Sequence, residues 1–345
     1  MNESVILSRD EPITPWEESV DMGRAARPRI VVSRCLGFDS CRWNGAMMPD
    51  EFVDSLKPFV DYETLCPESD IGLGVPRNPV RIVSASGSLR LVQQGTDRDV
   101  TEDLAAYAEK MLAPLNGVDG FILKSRSPSC GIKDSKIYPS MNHVAALKTS
   151  AGMFGGEVLR RFPHLAVEDE GRLNNDRIWD HFLKRVFTYA RFRELKRTAQ
   201  MRDLVQFQAE NKLLFMSYGQ EELRKLGRIV ANRERHPIDV VVNEYDIRLH
   251  LAMARIPRDT ANTNVLMHAM GFFSEKLNRE EKQFFLDILE KYRLERVPLS
   301  VPVNLVKSWI VRFDQEYLRP QTFLDPYPEQ LTRVLGEGVP RDLKL

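Results

Sequence analysis

Apolar positions follow two different patterns along the 345-residue chain. Between residues 29 and 150, short apolar runs alternate with stretches of helical period, as in "RIVVSRCLG", "DEFVDSLKPFV" and "VDGFILKSRSPSCG". Short β-branched runs that lead into glycine- or serine-containing loops are typical of strands, and strands that alternate with helices predict a mostly parallel sheet. We therefore predict that the first half of the chain is an α/β/α sheet domain.

The second half has the pattern of long amphipathic helices. In "DLVQFQAENKLLFMSYGQEELRKLGRIV", apolar side chains recur near the helical period, for example at Leu204, Phe207 and Leu214. The two patterns together predict an α/β domain followed by an all-α domain. The predicted boundaries are an N-terminal arm over residues 1–28, the sheet domain over 29–155, a linker over 156–184 and the helical domain over 185–345.

Four cysteines supply the most distinctive candidate chemistry. Cys35, Cys66 and Cys130 each follow a predicted strand, and Cys41 lies in the same loop as Cys35. Parallel sheets bind ligands at the carboxyl ends of their strands, so these thiols are predicted to converge at one edge. Three thiolates from separate loops suit a [4Fe-4S] cluster with one open iron, whereas the lack of a C-x2-C pair disfavours zinc ribbons and ferredoxins. Buried thiols without a metal are the alternative that the spacing leaves open.

Charge distinguishes the two halves, although the whole chain carries 49 basic and 49 acidic residues. Residues 181–260 contain 16 basic and 10 acidic side chains, which favours either a surface for a polyanion or a solvated helix face. The chain contains no run of apolar residues long enough to span a membrane, and its N-terminus is polar. We therefore expect a cytoplasmic protein.

Two sets of motifs resemble known families. The blocks "SRCLGFDSCRWNG", "LCPESDIGLGVPR", "GTDRDVT" and "LKSRSPSCG", in this order, resemble the signature of the TudS-type thiouracil desulfurase family and span residues 29 to 153. The segments "ENKLLFMSY", "NVLMHAMGFF" and "YLRPQTFLDPYP" resemble the YbgA-type domain that is often fused behind it, over roughly residues 185 to 335.

The resemblance to the first family implies a specific site. It implies a [4Fe-4S] cluster held by Cys35, Cys41 and Cys130, whose remaining iron takes the sulfur of a thiocarbonyl. The family's acid matches Glu68, and its assisting hydroxyl matches either Ser127 or Ser129, between which the sequence does not choose. Cys66 is then a packed thiol, because a fourth ligand would close the open iron. Water replaces sulfur without electron transfer, so no nucleotide cofactor is expected.

The fused architecture resembles desulfidases that convert 4-thiouridine in transfer RNA to uridine with release of sulfide. Under this hypothesis thiolated transfer RNA is the substrate and partner, and basic side chains hold its phosphates. The alternatives are a desulfurase of free thiouracil or thiouridine nucleotides, and a non-catalytic RNA-binding or redox-sensing protein. The predicted substrate-binding residues are Arg77 and Lys124 near the thiols and Lys184, Arg185, Arg191, Arg193, Lys196 and Arg197 in the basic segment.

Overall fold

A computed structural model describes residues 26–332, apart from residues 86, 143, 144 and 199. Most of the predicted N-terminal arm, residues 1–25, lies outside the described residues. The strands are β1 (Arg29–Ser33), β2 (Asp61–Leu65), β3 (Val80–Ala85), β4 (Ser88–Gln93), β5 (Gly120–Leu123), β6 (Ser135–Tyr138), β7 (Lys148–Ser150) and β8 (Ala166–Asp169). The helices are α1 (Glu51–Leu56), α2 (Thr101–Leu112), α3 (Met153–Arg161), α4 (Asp176–Arg197), α5 (Met201–Glu210), α6 (Lys212–Tyr218), α7 (Gln220–Ala231), α8 (Ile238–Ala252), α9 (Asp259–Gly271), α10 (Arg279–Arg293) and α11 (Ser300–Phe313).

The central sheet contains four parallel strands in the order β2-β1-β5-β8. Alternation along β1 sends Ile30 and Val32 to one face, where they join the core under α4, and Val31 to the other face, where it joins the core under α2 and α3. Because helices cover both faces of this sheet, the sequences of its inner strands are nearly continuous apolar runs. This confirms the predicted α/β/α arrangement.

A second sheet, which the apolar pattern did not predict as a separate layer, has the order β4-β3-β6-β7. Its strands β3 and β6 are parallel, whereas β4 and β7 run antiparallel to their neighbours. The loop between β2 and β3 connects the two sheets and carries the "CPE" block. This loop therefore lies at the carboxyl edge of the central sheet.

The predicted linker over residues 156–184 is wrong, because this segment is part of the folded core. It contains most of α3, the edge strand β8 and the beginning of α4. Strand β8 pairs with β5 from the Gly120–Ala166 pair to the Leu123–Asp169 pair. The sequence of β8, "AVED", is too short and too acidic to show a strand pattern.

Helix α4 joins the two domains by contributing side chains to both hydrophobic cores. Asn175 caps its N-terminus by accepting hydrogen bonds from the backbone N–H groups of Arg177 and Ile178. Trp179 and Phe182 pack into the core under the central sheet, whereas Phe192 packs into the core of the helical domain. Helices α5 to α11 surround that second core and confirm the predicted all-α domain. Within the described part of the chain, no helix is both long and apolar enough to cross a membrane.

A buried histidine on α4 predicts a pH-dependent stability. His181 is buried, and its Nδ1 lies 3.0 Å from the Tyr218 hydroxyl. Burial, together with the charges of Arg185 and Lys184, lowers the pKa of His181 to about 3. The folded state resists protonation of His181. The neutral imidazole therefore contributes fully to the free energy of unfolding above the unfolded pKa of about 6.5, and this contribution is lost progressively as the pH falls toward 3.

We expect the free energy of unfolding to fall by about 2 kcal/mol more in the native protein than in His181→Gln between pH 7.5 and pH 5. Urea unfolding followed by circular dichroism at the two pH values measures this difference. His268→Gln is the control, because His268 is exposed and contacts Phe272 edge-on. An equal pH dependence in native protein and His181→Gln would contradict the prediction.

Candidate active site at the carboxyl edge of the parallel sheet

The four thiols are close together at the carboxyl edge of the central sheet. Cys35 follows β1, Cys66 follows β2, and Cys130 lies in the loop after β5, while the β1 loop also brings in Cys41. The Cys41 thiol hydrogen-bonds to the thiols of Cys35 and Cys66. The Cys66 Sγ atom also lies 3.7 Å from the Cys41 carbonyl oxygen. None of the four forms a disulfide.

The fourth thiol, that of Cys130, is buried in the loop after β5. It hydrogen-bonds to the side chains of Ser33 and Ser127, and Cys66 is among the groups that raise its pKa. Burial raises the pKa of the Cys130 thiol well above its ordinary value, and the hydrogen bond with Cys35 raises the pKa of Cys41 to about 11. The Cys41 and Cys130 thiols are therefore neutral at neutral pH, and a metal that binds them displaces their protons.

The donor set fits an iron-sulfur cluster better than a single ion. In the described ranges, no group of three His, Cys, Asp or Glu side chains is placed to hold one metal ion. A [4Fe-4S] cluster has a different requirement, because each thiolate binds a separate iron. Soft sulfur donors from separate loops around one buried region match that requirement.

Glu68 has both carboxylate oxygens fixed by hydrogen bonds. It follows β2 and begins the short π-helical turn Ser69–Leu73. Its Oε2 accepts hydrogen bonds from Arg77 Nε at 3.1 Å and Nη2 at 2.8 Å, and its Oε1 accepts one from Ser129 Oγ at 2.8 Å. The Glu68 side chain is 12% exposed and that of Arg77 is 3% exposed. The carboxylate is thus held in one orientation beside the thiols.

The two candidate serines have different roles in the loop. Ser129 is fully buried, and its hydroxyl contacts Glu68. The Ser127 hydroxyl accepts hydrogen bonds from the backbone N–H groups of Ser129 at 3.2 Å and Cys130 at 3.0 Å, which stabilises the turn. The geometry therefore brings Ser129, and not Ser127, to the carboxylate.

Arg77, a predicted substrate-binding residue, is occupied by the protein itself. Besides Glu68, its guanidinium donates to the carbonyl oxygens of Cys41 at 2.9 Å and Gly74 at 3.0 Å. Its backbone N–H donates to the Trp43 carbonyl at 2.7 Å. These contacts tie the cysteine loop after β1 to the "CPE" loop. Arg77 is therefore a positioning residue, which corrects the prediction that it binds substrate.

A second polar group lies at the ends of β5 and β8. Lys124 forms an ion pair with Glu170, and its Nζ donates to the Ser125 hydroxyl at 3.1 Å. Glu170 also accepts hydrogen bonds from the Ser125 backbone N–H at 2.8 Å and hydroxyl at 2.6 Å. The Lys124 charge is thus neutralised, which argues against the predicted phosphate contact. The sequence did not predict Ser125 and Glu170, since β8 was assigned to a linker.

Four of the basic residues predicted to bind RNA are structural, which corrects that prediction. Lys184 is 3% exposed and pairs with Asp180 at 2.7 Å. Arg185 is buried and donates to the His164 carbonyl at 2.7 Å. Their donors are used inside the protein, so they offer no charge to a phosphate.

The other two structural arginines lie further along α4. Arg191 donates to the Pro326 carbonyl at 3.1 Å, and burial lowers its pKa to about 10. Arg193 pairs with the buried Asp119 at 3.1 Å and so links the helical domain to the sheet domain. Lys196 and Arg197 are more exposed, but they pair with Asp246 and Glu194 at 2.6 Å and 2.8 Å.

Comparisons with known proteins relate the two domains to two different families. Residues 30–170 match the 2-thiouracil desulfurase family, and residues 212–328 match a family of unknown function, DUF1722. The chain is 28% identical to the uncharacterized protein YbgA of Escherichia coli K12 over 45% of this chain and 94% of YbgA. It is 35% identical to the uncharacterized protein YbbK of Bacillus subtilis 168 over 30% of this chain and 72% of YbbK.

One solved structure is also similar, that of the [4Fe-4S]-dependent thiouracil desulfidase TudS. It shares 27% sequence identity and covers 43% of this chain and 94% of its own, with a TM-score of 0.34. The family match over residues 30–170 places the sheet domain, with its thiols and fixed carboxylate, in the desulfurase class. With the 35% identity over 72% of YbbK, the chain belongs to the 2-thiouracil desulfurase family, and a YbgA-like DUF1722 domain follows that part.

Proposed function

We propose that this protein is a [4Fe-4S]-dependent desulfidase that converts 4-thiouridine in transfer RNA to uridine and releases sulfide. The observation that carries the proposal is the Glu68 carboxylate, which is fixed by Arg77 and Ser129 at the same sheet edge as four thiols. Membership of the 2-thiouracil desulfurase family supports the reaction class.

Cys35, Cys41 and Cys130 would hold the cluster. When bound, the cluster supplies a soft Lewis acid for the sulfur of the thiocarbonyl. Arg77 donates to the carbonyl of Cys41 and to Glu68, so it holds a ligand loop and the carboxylate in one fixed relation. Ser33 and Ser127 orient the Cys130 thiol through their hydrogen bonds to it.

The protein's own groups move the protons. Glu68 accepts a proton from the attacking water, and the Ser129 hydroxyl orients the carboxylate through its 2.8 Å hydrogen bond. The bond from the water oxygen to the pyrimidine carbon forms, the carbon–sulfur bond breaks, and both water protons leave with the sulfide. Oxygen replaces sulfur with no net electron transfer, so the proposal requires no reductant.

The second domain supports a substrate larger than a free base. The desulfurase match ends at residue 170, and the DUF1722 match covers residues 212–328. Arg193 and α4 connect the two domains through buried contacts, so a substrate bound by the helical domain is held in a fixed position relative to the thiols. The family description favours a second candidate, which is desulfuration of free thiouracil.

Anaerobic reconstitution with iron and sulfide, followed by incubation with 4-thiouridine-containing transfer RNA, tests the proposal. We expect loss of the thiouridine absorbance and release of about one sulfide per modified nucleoside, as the balanced exchange requires. The same RNA with protein that has not been reconstituted is the control. Turnover of free thiouracil alone would refute the RNA substrate, and RNA binding without turnover would support the non-catalytic alternative.

A further inference from the structure

Four exposed arginines form one surface at the end of α7. Arg224 and Arg228 lie one turn apart on the same face of the helix, and Arg233 and Arg235 lie in the turn that follows it. We call these four residues the α7 arginine surface. Three of them line a surface depression of about 560 Å³, a volume in the range of ligand clefts.

Small residues leave the depression open between the arginines. Gly227 and Ala231 lie in the same lining. A Cβ atom added at Gly227 would meet no atom within 4 Å, so the space above the helix is clear. The lining contains no aromatic side chain on which a base could stack. The shape and composition therefore suit a charged, backbone-like ligand rather than a base.

The four guanidinium groups have no partner within the described residues. None of them forms a hydrogen bond or ion pair there, in contrast to every predicted RNA contact on α4. Glu221 lines the same depression and interacts electrostatically with Arg228, but it forms its ion pair with Lys225 at 2.7 Å, so three guanidinium groups face one paired carboxylate. Glu234 lies 2.9 Å from His236 Nε2. The positive charge of this surface is thus available to an external anion.

The backbone holds the arginines in fixed positions. Leu223, Leu226 and Val230 anchor α7 in the helical core. The helix ends at Asn232 in the left-handed conformation, with φ of 38°. The Asn232 side chain closes the next turn by donating to the His236 carbonyl at 2.9 Å and accepting from its N–H at 2.8 Å. A preorganised surface loses less entropy when it binds.

We infer that the α7 arginine surface binds the phosphodiester backbone of the RNA substrate, an inference that rests on the proposed function. Guanidinium groups bind phosphate oxygens through paired, charge-assisted hydrogen bonds. Contacts to phosphates supply affinity and orientation without reading sequence. The RNA contact of the helical domain is therefore assigned to the α7 arginine surface and not to α4.

The test compares two triple variants. Arg224→Ala, Arg228→Ala and Arg233→Ala together remove three exposed, unpaired charges of the surface. We expect the Kd for transfer RNA to rise about tenfold or more, and the slope of log Kd against log salt concentration to fall by about two to three. Activity on the 4-thiouridine nucleoside stays unchanged. The matched control is Arg279→Ala, Lys291→Ala and Arg296→Ala, exposed positions on and just after α10, which packs on α9 and α11.

Equal affinities and salt slopes in the native protein and the α7 variant would overturn the inference. An equal loss in the α10 control would also overturn it, because the effect would then be one of total charge. The binding measurement requires neither cluster nor turnover. A protein that binds transfer RNA through these arginines without desulfurating it would refute the proposed function and retain the surface, so the two failures are distinguishable.

Discussion

Replacing Glu68 with Gln is expected to lower kcat about a thousandfold while the iron content stays unchanged, a loss typical of removing a general base. Gln keeps the size of the side chain: its carbonyl oxygen can still accept from Arg77 at the position of Oε2, and its amide group can donate to the Ser129 hydroxyl at the position of Oε1. It cannot take a proton from water. The expected result therefore separates proton transfer from the positioning of the loops.

The measurement combines initial rates on a thiolated nucleoside with iron and sulfide analysis of the same sample. Glu168→Gln is the matched control, because Glu168 is also largely buried and pairs with an arginine, Arg172, at 2.6 Å. This control is expected to keep nearly full activity, since the Glu168 carboxylate lies within β8 and bonds to Arg172 rather than to a thiol, Arg77 or Ser129. Near-native turnover in Glu68→Gln would remove Glu68 from the mechanism.

The apolar pattern predicted the fold where strands and helices were long enough to show a period. The "RIVVS" run predicted β1, and the helical period of residues 203–230 predicted an all-α domain. The strand β8, "AVED", could not be predicted from the apolar pattern because two of its four residues are acidic. The burial of Glu168 depends on the ion pair with Arg172 and not on hydrophobicity, which no pattern of apolar residues can indicate.

The part of the candidate site that could be predicted is the part whose position is fixed by the ends of the strands. Each cysteine loop follows a strand of the central sheet, so the convergence of the thiols follows from topology. The choice of Ser129 over Ser127 depends on the turn of the loop, which directs one hydroxyl to Glu68 and the other to backbone N–H groups. Two serines separated by one proline do not reveal that difference in sequence.

The predicted RNA contacts at Lys184, Arg185, Arg191 and Arg193 were wrong, because the number of charged residues in a segment does not show which of them are buried. Every residue from 181 to 190 is buried, since α4 lies between the sheet domain and the helical core. Arg185 and Arg193 therefore serve as buried donors to a carbonyl and to Asp119. The free arginines of α7 lie in the same basic segment, but only the structure distinguishes paired from unpaired charges.

Single alanine substitutions of Cys35, Cys41 and Cys130 are expected to abolish cluster binding, whereas Cys66→Ala is expected to retain it. Loss of one of three thiolates leaves too few protein ligands, so the iron content should fall from about four per chain to nearly zero. Iron and sulfide analysis after anaerobic reconstitution, with the visible absorption of the cluster, measures this. Thermal unfolding of each unreconstituted variant checks that the fold is intact.

The comparison of Cys66→Ala with the other three variants is decisive, because the position of Cys66 among the thiols does not by itself distinguish it from the three proposed ligands. Its thiol hydrogen-bonds to that of Cys41, and Cys66 is among the groups that raise the pKa of Cys130. If Cys66→Ala lost its iron as completely as Cys41→Ala, four thiolates would bind the cluster and no iron would be open to sulfur. Retention of the cluster in Cys66→Ala alone would leave one iron without a protein thiolate, which is the coordination vacancy that desulfuration at this site requires.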